Sequence, residues 1–334
     1  MNAIAISLPD GIIVDPFNGR ADIRAGRIQT VGNPLDRFLE DGLRPVRAVR
    51  FAAQLDFTVD AGTLQAIPQA LHITKKISIE RFREEFTKML SCQTPLTGLR
   101  LMESTGLLNL FIPELMECRG IGQGSYHHFD VLDHSFLVCN ACPAGMEHIH
   151  IRLAGLFHDI GKPAARKEAV DGSCTFYRHE AISEKMTRSI MRRLKYSNAE
   201  IEKTAHLVAE HMFHYDPSWT DAAVRRFIVR VGKENIDDLF ALRKADVFGL
   251  TGTYAEPNFL VEFTARIDTL LKEDGAYSLK DLAVNGKDLM AIGIPAGKCL
   301  GLVLHDLLET VLDDPAQNTK EALLPIAAAL YERI

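Results

Sequence analysis

Residues 153–163 read Leu-Ala-Gly-Leu-Phe-His-Asp-Ile-Gly-Lys-Pro, and this stretch decides how the rest of the chain is interpreted. An apolar helical run ends there in the adjacent pair His158-Asp159. Neighbouring residues on a helix diverge by about 100°, yet an imidazole and a carboxylate can still converge on one ion. His134 at the start of an earlier predicted helix and Asp246 near the end of a later one add a second imidazole and a second carboxylate. Such mixed ligation suits Mn, Fe, Co, Ni or Mg better than a structural zinc.

The H…HD…D pattern of these four residues resembles the HD superfamily of metal-dependent phosphohydrolases. The resemblance implies that all four bind a divalent ion, and that His179 and His211 complete a second site in members with two metals. A bound ion would lower the pKa of water and neutralise a phosphate, with Asp159 and Lys162 as the catalytic residues. The alternative is a helix-capping or surface His-Asp pair, and a purely structural role is equally compatible with His179 and His211.

Outside this stretch, apolar residues recur mainly at helical spacing, which predicts a mainly α chain. Among the predicted helices are residues 98–109 and 149–160. The N-terminus differs, because residues 11–19 and 27–32 read as short strands with tight turns. Two isolated strands are unstable in water, so this segment must pack on another part of the protein or be the remnant of a larger sheet.

A second signal lies in residues 40–51, Glu-Asp-Gly-Leu-Arg-Pro-Val-Arg-Ala-Val-Arg-Phe. Asp41, Arg44 and Arg47 follow at intervals of three, which predicts that they share one helix face. An Asp offers acceptors and an Arg a planar fork of donors, a pair able to read a nucleobase edge. A solvated helix with internal ion pairs is the alternative that the charge pattern alone favours. Because Pro45 lacks a backbone N–H, the helix is predicted to begin near Gly42 or to kink there.

With Asp15-Pro16, residues 27–32 and residues 51–55, this segment resembles the neck of bacterial CCA-adding tRNA nucleotidyltransferases and related poly(A) polymerases. The likeness continues through residues 77–90 and 222–227 to residues 284–289 and 318–323, so it covers nearly the whole chain. It implies that Asp41 and Arg44 template the incoming CTP or ATP, with Arg47 nearby. It also implies a mainly α fold in four parts, namely a remnant of the nucleotidyltransferase head sheet (1–32), a helical neck of nucleotide- or RNA-binding type (33–118), an HD metal-dependent phosphohydrolase domain (119–252) and a helical tail of tRNA-binding type (253–334).

The head of that family carries a Gly-rich phosphate-binding turn and a D-x-D pair, and neither precedes the segment that aligns with Met1–Ala5. We therefore expect no nucleotidyl transfer from this chain alone. The leading hypothesis is an HD phosphohydrolase, a phosphomonoesterase or 2′,3′-cyclic phosphodiesterase acting on nucleotides or RNA 3′ ends. The alternative is the C-terminal part or a subunit of a CCA-adding enzyme or poly(A) polymerase in tRNA 3′-end processing. In that case the head is missing or is supplied by a separate chain.

A third hypothesis is a non-catalytic RNA-binding module, with tRNA as the expected partner. Arginines cluster on two predicted helices, although a solvated helix face is the explanation that such clusters favour. The RNA-binding candidates are Arg192, Arg193, Arg225 and Arg226. The chain has 38 Lys and Arg against 44 Asp and Glu, a formal charge of -6. This charge excludes nucleic-acid binding through global charge but leaves a local basic face open.

The remaining expectations concern environment and assembly. Six dispersed cysteines are typical of a reducing compartment. The sequence shows neither a leader nor a run of 18 apolar residues, so we expect a cytoplasmic protein that does not span a membrane. Exposed remnants of a sheet favour a homodimer.

Overall fold

The computed structural model describes residues 4–123, 128–168, 174–253, 257–272 and 277–333. Within these ranges the chain is mainly α-helical, as predicted, and its strands are short and form three separate pairs. They are β1 (Ala5–Ile6) with β2 (Ile13–Val14), β3 (Arg27–Ile28) in parallel with β4 (Thr58–Val59), and β5 (Lys167–Glu168) with β6 (Cys174–Thr175). The two segments predicted as strands thus contain one strand each, but helix α1 (Gly19–Arg24) separates them and they join different pairs.

The chain divides into two compact units. Unit 1 comprises Met1–Met212 and Asp238–Ala255, and unit 2 comprises Phe213–Asp237 and Glu256–Ile334. No helix among the described residues combines the length and the apolar character that crossing a bilayer requires.

The first helices of unit 1 pack around buried Phe38, Val49, Phe82 and Phe86. They are α2 (Pro34–Glu40), α3 (Leu43–Leu55), α4 (Ala61–Gln69), α5 (Leu71–Thr74), α6 (Ile79–Leu90), α7 (Pro95–Ser104), α8 (Leu107–Phe111) and α9 (Pro113–Met116). As the proline predicted, α3 begins directly after Gly42. The predicted helix 98–109 is wrong as a single element, because the chain turns at Gly106, whose φ of 82° only glycine adopts readily.

The later helices of unit 1 surround the histidines singled out above, and α10, α11, α13 and α14 among them contribute to the same core. They are α10 (Val131–Ala141), α11 (Ile149–Phe157), α12 (Lys162–Ala165), α13 (His179–Arg193), α14 (Asn198–Glu210) and α16 (Ile236–Thr251), which starts in unit 2, with a 3₁₀ turn at Met146–His148. The predicted helix 149–160 is too long, since α11 ends at Phe157 and His158 caps it.

Unit 2 has its own aromatic and aliphatic interior. Phe263 stacks on Tyr215 with ring centroids 4.1 Å apart and contacts Phe227 at 4.8 Å. Its helices are α15 (Asp221–Val231), α17 (Asn258–Lys272), α18 (Gly286–Ala291), α19 (Lys298–Asp313) and α20 (Lys320–Tyr331), with 3₁₀ turns at Lys233–Asn235 and Pro315–Gln317. Asn285 and Asp288 form a capping box at the start of α18.

Candidate functional site: a histidine–carboxylate cluster and a neck cavity

Four predicted ligands from α10, the end of α11 and α16 meet in the interior of unit 1. The Nε2 atom of His134 lies 3.1 Å from Nε2 of His158. The same atom lies 3.4 Å from Oδ2 of Asp159 and 3.2 Å from Oδ1 of Asp246. Nε2 of His158 is 3.2 Å from Oδ2 of Asp159. These four side chains, at most 13% exposed, therefore form one group of metal-ligating atoms. We call His134, His158 and Asp159 the first triad, and Asp246 lies beside it.

The other two predicted ligands meet the opposite oxygen of the same carboxylate. Oδ1 of Asp159 lies 3.0 Å from Nε2 of His179 and 3.8 Å from Nε2 of His211. The two Nε2 atoms are 3.3 Å apart. Asp159 thus belongs to both groups, with Oδ2 in the first triad and Oδ1 in this second triad.

Backbone carbonyls orient three of the imidazoles. Nδ1 of His158, His179 and His211 lies 2.9, 2.9 and 2.7 Å from the carbonyl oxygen three residues earlier. A carbonyl only accepts, so each Nδ1 carries the proton and Nε2 is left to bind a cation. The Nε2–Nε2 separations also match neighbouring ligands of one ion with bonds of about 2.1 Å. The donor set therefore fits a divalent metal.

The cluster contains two largely buried, ionised carboxylates, and their negative charge favours the binding of a cation. Burial opposes ionisation of Asp159, yet His158 and Lys162 hold its pKa well below 3.8. Burial likewise opposes ionisation of Asp246, but hydrogen bonds from His134 and His158 lower its pKa well below 3.8. Although burial disfavours a charged imidazole, the two carboxylates raise the pKa of His158 to about 10. A proton on His158 therefore supplies, in the metal-free chain, part of the positive charge that an ion would bring.

Two residues that the sequence analysis did not identify, Gln123 and Arg243, support the cluster. Nζ of Lys162 lies 2.7 Å from Oδ2 of Asp159 and 2.5 Å from Oε1 of Gln123. Gln123 carries no motif, so nothing in the sequence identified it. Nη1 of Arg243 donates to Oδ2 of Asp246 at 3.0 Å, and its position one helical turn before that ligand was the available signal.

The predicted nucleotide-binding residues line a separate cavity of about 520 Å³, the neck cavity. Asp41, Arg44 and Arg47 all face it, together with Phe38 and Phe51. The expectation that all three share a helix face is wrong, because Asp41 has extended backbone between α2 and α3.

The next residue, Gly42, makes a close backbone approach to another segment. A Cβ at position 42 would lie 2.7 Å from the carbonyl oxygen of Ile73, so only glycine fits there. The carboxylate of Asp41 accepts from the N–H of Leu43 at 3.1 Å and thereby caps the start of α3. The two sides of the proposed base-reading pair therefore come from different elements.

The arginines Arg44 and Arg47 of the neck cavity differ in whether they already pair with a carboxylate of the chain. Arg44 donates to Glu40 at 2.7 Å and to the carbonyl of Arg37 at 2.9 Å. Arg47 forms no ion pair with a carboxylate in the described part of the chain, and its Nε is buried without a hydrogen-bond partner. Arg47 is thus the cavity cation whose charge remains available to a ligand.

Three of the four arginines predicted to bind RNA are engaged within the chain. Arg193 pairs with Glu114 at 2.5 and 2.7 Å, and Arg226 bonds two carboxylates of α19. Arg225 is largely buried and donates to a carbonyl of α19 at 3.3 Å. Arg192 is exposed, and no carboxylate in the described ranges lies within ion-pair distance of it.

Two family models match this chain. Residues 56–118 match the model described as "Probable RNA and SrmB- binding site of polymerase A". Residues 174–327 match the model described as "tRNA nucleotidyltransferase domain 2 putative".

Known tRNA nucleotidyltransferases are similar to this chain over most of its length. The A-adding tRNA nucleotidyltransferase of Deinococcus radiodurans is 31% identical over 326 residues, which cover 91% of this chain and 72% of that protein. The CC-adding tRNA nucleotidyltransferase of Thermus thermophilus is 30% identical over 303 residues, covering 86% and 66%. The structure of the Bacillus stearothermophilus CCA-adding enzyme in complex with CTP matches with a TM-score of 0.68 and 26% identity, covering 99% of this chain and 71% of that one. These similarities favour the alternative hypothesis, a tRNA nucleotidyltransferase part, over the phosphohydrolase. The chain belongs to the tRNA nucleotidyltransferase family.

Proposed function

We propose that this chain selects nucleotides and holds tRNA as part of a tRNA nucleotidyltransferase, in tRNA 3′-end processing. The observation that carries the proposal is the neck cavity, where the carboxylate of Asp41 and the uncommitted guanidinium of Arg47 face one space beside Phe51. Acceptors, donors and an aromatic ring are the groups that recognise a nucleobase with its phosphates. A similar structure holds CTP, which is the ligand class that this cavity suits.

Nucleotide titration tests this function. We expect the chain to bind CTP and ATP about tenfold more tightly than UTP and GTP, since a buried mismatch of donors and acceptors costs at least about 1.4 kcal/mol. Asp41→Ala should remove this discrimination, whereas Asp36→Ala, an exposed carboxylate of α2 outside the cavity, should keep it. Equal affinity for the four nucleotides in the unmodified chain would reject the proposal.

A second function is favoured by one specific observation, the sharing of Asp159 between two triads. We propose that the cluster binds one or two divalent ions, of the class Mn, Ni, Co, Fe or Mg, and hydrolyses phosphomonoesters or 2′,3′-cyclic phosphodiesters. His134, His158, Asp159 and Asp246 would hold one ion, and His179 and His211 would complete a second site with Asp159. A cation there supplies Lewis acidity that polarises the phosphoryl oxygen and makes water more acidic.

The chain's own residues would orient the reaction. Lys162 is 11% exposed in its side chain and bonded to Asp159, and its ammonium would hold a non-bridging phosphate oxygen. In the hydrolysis of a cyclic diester, the oxygen of water forms a bond to phosphorus as the bond to the 2′ or 3′ oxygen breaks. One proton of the water ends on the released hydroxyl, and the product is a phosphomonoester.

A phosphoester assay tests the second function separately from the first. Wild-type protein with Mn²⁺ or Ni²⁺ should hydrolyse 2′,3′-cyclic AMP, and Asp159→Ala should lower the rate at least about a thousandfold because both triads lose their common ligand. Asp268→Ala, an exposed carboxylate of α17, is the matched control and should retain the wild-type rate. No hydrolysis by wild type with any of the five metals would reject this function.

The finer points of assembly stay predictions. They include tRNA as the bound RNA, a separate nucleotidyltransferase head chain, a homodimer and the four-part division of the chain. The four RNA-binding arginines also stay predictions, with Arg192 as the member whose charge is not paired at short range within the described residues.

A further inference from the structure

The second triad lies at one end of a helical pair. Helices α13 and α14 follow each other across residues 194–197, and the first residue of α13, His179, meets His211 directly after α14. The pair is therefore antiparallel, and the chain segments that flank both histidines lie at the same end.

Large apolar side chains are exposed on both of these flanking segments. Tyr177, two residues before His179, is 82% exposed, and Met212, directly after His211, is 53% exposed. Single exposed apolar residues are ordinary on protein surfaces, but these two each lie within two residues of a histidine of the same buried triad.

The turn that carries Tyr177 has two further unusual properties. Phe176 packs its ring 5.7 Å from Nζ of Lys162 and accepts a hydrogen bond from His179, so it belongs to the interior of the site. Arg178 has a φ of 58°, a left-handed conformation that is rare outside glycine and that concentrates at binding sites. Arg178 is exposed and, within the described ranges, forms no ion pair, unlike Arg188 and Arg193 on the helix that follows it.

We propose that Tyr177 stacks on the nucleobase of a phosphoester bound at the second triad, with Met212 covering the edge of the base and Arg178 binding its ribose or phosphate oxygens. The proposal rests on the phosphohydrolase function proposed above and narrows its substrates to nucleotides and nucleotide 3′ ends. Sugar phosphates and inorganic phosphates have no aromatic ring to stack on Tyr177 and would bind only through the triads and Lys162.

Steady-state kinetics with 2′,3′-cyclic AMP test the proposal. Tyr177→Ala should raise KM about tenfold and leave kcat unchanged, because a stacking contact to a base far from the reacting phosphorus binds ground state and transition state alike. Tyr177→Phe keeps the ring and should behave as wild type, and Met212→Ala should raise KM about threefold. Met146→Ala removes a methionine as exposed as Met212, and Tyr331→Ala removes a partly exposed tyrosine; both residues lie elsewhere on the chain and should change nothing. An unchanged KM in Tyr177→Ala would overturn the proposal.

A matched pair of ligands separates failure of this inference from failure of the phosphohydrolase function. 5′-AMP and ribose 5-phosphate differ only in the base, and they are titrated into Mn²⁺-loaded Arg47→Ala protein so that binding in the neck cavity is weakened. We expect 5′-AMP to bind about tenfold more tightly, with the difference lost in Tyr177→Ala. If no phosphoester is hydrolysed, a base preference that depends on Tyr177 still supports nucleotide recognition. Equal affinity for the two ligands, or a preference independent of Tyr177, overturns it.

Discussion

The histidine–carboxylate cluster and the neck cavity hold their functional groups in opposite ways. In the cluster, buried carboxylates and imidazoles are oriented by backbone carbonyls, and Asp159 is only 3% exposed. In the neck cavity, Asp41 and Arg44 are 32% and 40% exposed in their side chains, and Arg44 rests in a surface ion pair. Such exposed pairs contribute about 0–1 kcal/mol and exchange easily for a ligand. The cluster is thus fixed before its ligand arrives, whereas the cavity can adjust to the ligand that it binds.

The largest effect is expected at a buried arginine that joins the helix of the cluster to α6, which packs against the cavity-lining helix α3. Arg152 on α11 is 1% exposed and donates to the carbonyls of Leu90 and Cys92 at 2.6 Å and of Pro143 at 2.8 Å. It ties the helix that ends in the cluster to the end of α6. Arg152→Met should lower the free energy of unfolding by about 3–5 kcal/mol, because it leaves buried carbonyls unpaired.

Urea denaturation of Arg152→Met measures this loss. The control is Arg192→Met, which makes the same replacement at an exposed position and should cost less than about 0.5 kcal/mol. If the two variants unfold at the same urea concentration, Arg152 does not join the regions in the manner described.

A methyl group at position 161 tests how rigidly the cluster is held. A Cβ on Gly161 would lie 2.7 Å from the backbone nitrogen of Ser183 and 2.8 Å from the carbonyl oxygen of His179. Gly161→Ala should cost about 1–3 kcal/mol and weaken Mn²⁺ binding at the second triad, since α13 must move. Gly301→Ala on α19, where a Cβ meets no atom of the described residues within 4 Å, is the control. Unaltered Mn²⁺ affinity in Gly161→Ala would show that the cluster is as adjustable as the cavity.

A substitution in the neck cavity should weaken nucleotide binding without abolishing it. Arg47→Ala should weaken CTP binding about tenfold, about 1.4 kcal/mol, because it removes a charge-assisted contact while Arg44 can leave its surface pair and compensate. Calorimetric titration measures the change, with Arg20→Ala, an exposed cation outside the cavity, as the control. Complete loss of CTP binding in Arg47→Ala would mean that the cavity is fixed in the same way as the cluster.

The smallest effect concerns tRNA. Arg192→Ala should weaken tRNA binding a few-fold and reduce the slope of log K against log salt by about one, as expected for one lost phosphate contact. Arg193→Ala should have less effect, because the ion pair with Glu114 already occupies its guanidinium. Equal losses in the two variants would contradict this order.

The sequence predicted the residues of the cluster more accurately than the geometry of the neck cavity, and the reasons are physical. The six candidate ligands follow a family motif, and the resemblance to that family named all six of the side chains that the structure brings together. Asp41 was placed on the wrong element because the interval of three assumes one continuous helix, whereas the backbone is extended at Asp41 between α2 and α3. Likewise, Arg193 and Glu114 are 79 residues apart, and only the fold reveals that this arginine is already paired.

The central claim is that Asp159 serves both triads of a metal centre. The most direct measurement is the metal content of protein exchanged into Mn²⁺ and freed of loosely bound ions, compared between wild type, Asp159→Asn and the exposed control Asp268→Asn. We predict one or two ions per chain in wild type and in Asp268→Asn, and loss of bound metal in Asp159→Asn, which keeps the volume of the side chain but removes its charge. Equal metal content in wild type and Asp159→Asn would contradict the claim.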